Sequence, residues 1–71
     1  MTIRNEILEG LTSNARGEIQ KAKANILVYL NNPAGIGEHP DILGAIQIEL
    51  DKICTHEERI EQINKHFKSS I

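Results

Sequence analysis

Ile46, Ile53, Ile60 and Phe67 recur every seven residues. A seven-residue apolar repeat belongs to a helix that packs lengthwise against another with a left-handed twist. Ile42, Leu43, Leu50 and Ile63 widen the same face. Upstream, Ile3, Ile7, Leu8 and Leu11 are followed by Ala15, Ile19, Ala22, Ile26, Leu27 and Leu30, again at steps of three and four. That is the period of a helix; strand alternation does not fit it. The two stripes predict an all-α protein: one domain over residues 1–71, with a helix over about 3–31, a loop over 32–39 and a helix over about 40–68.

The boundaries follow from local chemistry. The Thr2 hydroxyl is placed to cap the first helix. Gly10 and Gly17, with Thr12, Ser13 and Asn14 between them, form its weak stretch, since glycine costs about 1 kcal/mol against alanine inside a helix. A break near residues 12–17 is the alternative to one continuous helix, but Leu11, Ala15 and Ile19 keep the stripe in phase across it. Asn31, Asn32 and Pro33 end the helix, because proline lacks an amide proton and pushes the residue before it out of helical geometry. Pro40 suits the first position of the second helix and Asp41 its positive end. His39 then falls at the cap, a poor choice for that place, so the start can slide by a residue. Only Thr55, His56 and Glu57 thin the second stripe. They mark a polar layer, a bend or a point where a partner enters.

Each helix is about 28 residues, or roughly 42 Å long. So short a connection makes the two helices antiparallel neighbours. Two helices offer one seam, and both apolar faces are wider than one seam needs. The predicted interface and core set is Leu8, Leu11, Ile19, Ile26 and Leu30 on the first helix. On the second it is Ile42, Leu43, Ile46, Leu50, Ile53, Ile60 and Phe67. Left open, such faces are interaction surfaces, and the smallest closed solution is a homodimer completing a four-helix bundle. A different protein as partner and a lone monomer are the alternatives.

The loop is the most distinctive segment. Pro33 and Pro40 bracket Gly35, Ile36, Gly37 and His39. The glycines let the chain turn, and Ile36 is placed to plug the end of the hairpin. The segment reads as a rigid tip, either structural or a contact epitope. It is no phosphate loop: it lacks the GxxxxGK[ST] and GxGxxG spacings, follows a helix, and carries Glu38 where an anion would bind.

Chemistry is sparse. His56 and His66 lie ten apart on one helix, about 15 Å, too far to share an ion. His39 with Glu38 and Asp41 reads as a solvated loop. Glu57, Glu58 and Glu61 read as a solvated face. No nucleophile stands beside a histidine, so no catalytic, cofactor-binding or metal residue is predicted, and the chain is expected not to be an enzyme. Cys54 is the sole cysteine. It excludes an intrachain disulfide, fits a reducing compartment and reads as a small, partly buried side chain. The net charge is −2, from 8 basic and 10 acidic residues. Residues 1–31 carry four basic against three acidic side chains, and residues 32–71 carry four against seven. With Tyr29 and Phe67 the only aromatics, neither a basic stripe nor a stacking platform for nucleic acid is present. No apolar run approaches a membrane span, and no targeting segment is visible. A cytoplasmic location is expected.

From Lys23 through Phe67, the run NILVYLNNPAGIGEHPDILGAIQIELDKI and the closing NKHF at 64–67 resemble small uncharacterised proteins of marine, cyanophage-like myoviruses related to the T-even phages. The resemblance covers most of the chain and brings no catalytic residue with it. It implies a phage origin and a host-cell cytoplasm during infection, with a host or phage protein as a possible partner. Two classes of function follow. The first is a non-enzymatic structural or protein-interaction protein acting as a helical oligomer. The second is a small regulator or adaptor acting near nucleic acid or on a host protein.

Overall fold

The computed structural model describes residues 2–31 and 41–68. They form two helices, α1 (Ile3–Asn31) and α2 (Ile42–His66), packed antiparallel as a hairpin about 51 Å long and 18 Å wide. The loop residues Pro33, Gly35, Ile36, Gly37, His39 and Pro40 lie outside the described residues.

α1 begins where Thr2 accepts two bonds from the first turn. The Asn5 amide donates to Thr2 Oγ1 and the Glu6 amide to the Thr2 carbonyl, both at 3.0 Å. The Glu6 carboxylate sits in that turn, where it meets the positive end of the helix. The helix runs unbroken through Gly10 and Gly17. Tertiary packing outweighs their propensity cost here, because neither glycine interrupts the buried stripe Leu8, Thr12, Ala15, Ile19 and Ala22. At the far end the Asn31 amide donates to the Leu27 carbonyl at 2.8 Å.

α2 corrects one sequence expectation. Its cap is Asp41 and not His39: the Asp41 carboxylate accepts the Gly44 amide at 2.8 Å. A short side-chain carboxylate reaches the third amide of the helix, which an imidazole does not do readily. The last turn carries Lys65 and His66 and closes with the Phe67 and Lys68 amides donating to the Ile63 carbonyl at 2.9 and 3.1 Å.

The seam follows alternating steps of four and three on both helices. On α1 it is Leu8, Thr12, Ala15, Ile19, Ala22, Ile26 and Tyr29, all buried or half-buried. On α2 it runs through Ile42, Ile46, Glu49, Ile53, His56, Ile60 and Ile63, also buried or half-buried. Three contacts set the register: Arg4 donates to the Phe67 carbonyl, Asn25 to Glu49, and Lys68 pairs with Glu9 at 3.8 Å. At this register Ala15 stands level with Ile60 and Ala22 with Ile53. Each alanine is small enough to leave room for the isoleucine level with it, and both alanines are almost wholly buried.

Candidate functional site

The described residues offer two features for function: a polar cluster inside the seam, and an apolar flank outside it.

The cluster is centred on Glu49. This carboxylate is 8% exposed, because α2's seven-residue repeat Ile42, Glu49, His56, Ile63 places it against α1. Asn25 Nδ2 donates to Oε1 at 3.3 Å and Lys52 Nζ to Oε2 at 3.2 Å. The Asn25 hydrogen bond, then the Lys52 hydrogen bond and charge, with Lys21 at longer range, hold Glu49 below the ordinary carboxylate range, while burial pushes the other way. An acid held ionised in this way neither donates a proton near neutrality nor accepts one readily. Its chemistry is recognition: it ties α1 to α2 at one register. A buried charge with two satisfied oxygens is tolerated where an unpaired one would not be.

Thr12 is the seam's other polar member. It is 3% exposed, and its hydroxyl has no hydrogen-bond partner among the described residues. His56 is half-buried, with Arg59 Nη1 at 3.4 Å from its Nδ1.

Two depressions, both open to solvent, lie at the hairpin ends. One, of about 310 Å³, is lined by Tyr29, Asp41, Gly44, Ala45, Ile48 and Glu49. The other, of about 520 Å³, lies between Asn5, Glu6, Leu8, Glu9 and Lys68. Neither gathers a nucleophile with a base. Among the described residues no group of three or more His, Cys, Asp or Glu side chains is placed to hold a metal ion.

Of the sequence-predicted interface and core residues, Leu8 and Ile19 are buried in the seam, and Ile26, Ile42, Ile46, Ile53 and Ile60 are half-buried. Leu11, Leu30, Leu43, Leu50 and Phe67 are exposed in the single chain, Leu43 to 77% and Leu30 to 62%. Ile46, Ile53 and Ile60 are half-buried for one cause. On α2 the true seam is centred on Glu49 and Ile63, so the Ile46, Ile53, Ile60 row sits on its shoulder. That row meets α1 on one edge, and on the other it runs into the exposed Leu43 and Leu50, making an apolar strip spaced three and four along the seam's shoulder. Cys54 corrects another expectation: it is exposed, because it falls on the outer side of α2, four residues beyond Leu50. Glu57, Glu58 and Glu61 are exposed.

Sequence reasoning missed Glu49, Asn25, Lys52 and Thr12. The signal was present: Glu49 lies midway in the repeat that runs from Ile42 to Ile63. A search for apolar residues alone passes over it.

Among the described residues no helix is long and apolar enough to cross a membrane. No protein-family model matches the chain, and neither a curated protein nor a solved structure matches it.

Proposed function

We propose that this hairpin is a non-enzymatic interaction protein that works as a homodimer, two copies completing a four-helix bundle. The observation that carries this reading is the imbalance of apolar surface. Among the described residues five apolar side chains are buried, two of them alanines, whereas ten large apolar side chains are exposed. A chain of this size has a thin core and gains most from oligomerisation. Leu27, Leu30, Leu43 and Leu50 are not scattered singly: they lie together on one side of the hairpin, beside the half-buried row of the seam, as an interface does. A host-cell cytoplasm during infection, the setting the phage resemblance implies, belongs to the same proposal.

Thermal melts test this reading. For an oligomer that unfolds as it dissociates, the midpoint rises with protein concentration. Raising the concentration about 100-fold should lift Tm by several degrees. A midpoint independent of concentration overturns the dimer.

A further inference from the structure

Resting on the dimer reading, we infer that the second copy packs on the Leu43–Leu50 side of the hairpin, with both hairpins pointing the same way and the two-fold axis along their length.

The side is chosen by the register. The two seam lines place Leu27 and Leu30 of α1 and Leu43 and Leu50 of α2 on the same side, near the end where α1 finishes and α2 starts. All four are exposed. The half-buried Ile46, Ile53 and Ile60 form the floor between them. A face of 51 by 18 Å covers on the order of 900 Å², against about 800 Å² per partner in a standard stable interface.

The orientation is chosen by charge. Moving from that end toward the other, α1 presents on this side Leu30 and Leu27, then Lys23 and Arg16, then Glu9 and Glu6. Over the same length α2 presents Leu43 and Leu50, then Glu57 and Glu61, then Lys68. At the hairpin's register Arg16 lies level with Glu57 and Glu6 with Lys68, so base faces acid there and acid faces base, while Lys23 lies level with Leu50 and Asp51. Arg16, Lys23, Glu57 and Glu61 are exposed, and none takes part in the ion pairs the described residues form, which are Lys52–Glu49 and Lys68–Glu9. A two-fold axis along the hairpin lays α1 of one copy over α2 of the other, so Arg16 meets the Glu57–Glu61 acids twice and Glu6 meets Lys68 twice. Turning one copy end for end lays like helices together. The Arg16–Lys23 block then meets itself, Glu57 lies near its counterpart, and Leu50 moves over Glu61. Like charges set opposite one another are what excludes a wrong orientation.

The test uses two variants of the full chain, Arg16→Glu with Lys23→Glu, and Glu57→Lys with Glu61→Lys. Sedimentation velocity should show each variant alone dimerising on the order of 100-fold more weakly than the unaltered chain. The equimolar mixture should dimerise like the unaltered chain, since both contact zones are again complementary. Restoration on mixing separates the dimer contact from any fault within one hairpin, which a second copy with reversed charges does not mend. If the unaltered chain dimerises but mixing restores nothing, the face is wrong and the dimer reading stands. If the unaltered chain never dimerises, both fail. The orientation has its own readout in a spin label on Ile3→Cys in a Cys54→Ser background, a site 80% exposed at the open end. Hairpins pointing the same way hold the two labels roughly 30 Å apart, a distance set by helix spacing across a bundle. A label separation near the full 51 Å length of the hairpin overturns the orientation.

Discussion

The residue that decides how the two helices meet is Glu49. Its hydrogen bonds to Asn25 and Lys52 exist only in the folded chain, and they favour the ionised form. The folded-state pKa therefore lies below the ordinary value of 4.5. A group with a lowered folded pKa contributes stability that is whole above its unfolded pKa, and that stability is lost as pH falls through the folded one. Urea melts should show this loss as the pH is lowered from about 5. In Glu49→Gln the loss should be smaller in that range, and stability at pH 7 should already be reduced. Equal pH dependence in both proteins would mean the carboxylate is not held in the seam. Thr12 makes the converse case. Its buried hydroxyl lacks a partner among the described residues, so Thr12→Val keeps the shape and removes a desolvation cost of about 1 kcal/mol. The variant should melt higher, and a lower midpoint would show that the hydroxyl is satisfied in solution. Neither residue was legible as a seam member by its type, because both break the apolar pattern that reveals the seam. What reveals Glu49 is position: it takes its turn in a seven-residue series that begins and ends on isoleucine.

At the scale of the element, the helices illustrate how differently three glycines behave. A Cβ at Gly10 or Gly17 meets open space, so alanine there gains helix propensity with nothing to displace. Each change should stabilise the chain by about 0.5–1 kcal/mol. At Gly44 a Cβ would overlap the Asp41 carboxylate that caps α2. The propensity gain is then offset by loss of a cap worth about 1 kcal/mol, and Gly44→Ala should be neutral or destabilising. Thermal melts of Gly17→Ala and Gly44→Ala should separate by several degrees; a Gly44→Ala midpoint as high as that of Gly17→Ala would contradict the cap. The helices themselves were legible from sequence because their stripes keep period through residues 12–17, where composition argues for a break. The cap was not, because Pro40 drew the helix start two positions too early and made Asp41 read as a first-turn acid. The outward turn of Cys54 was hidden for a related reason: α2 carries two overlapping stripes, and sequence alone does not say which of them faces α1.

At the scale of the molecule, a hairpin with three large buried apolar side chains, Leu8, Ile19 and Ile63, is a half-built core. Its α2 shoulder continues into Leu43 and Leu50, and basic and acidic residues alternate along that side. In the proposed dimer the molecule's width would supply an interface of ordinary size, and closing it would convert two seams into the shielded centre of a four-helix bundle. Such a dimer would present Asn31 and Asp41 of both hairpins at one end of the assembly. The most direct measurement of this claim is sedimentation equilibrium of the unaltered chain from low to high micromolar concentration. A dimer gives a mass rising to twice the 8.0 kDa of one chain and holding there; a mass that stays at 8.0 kDa throughout would contradict it.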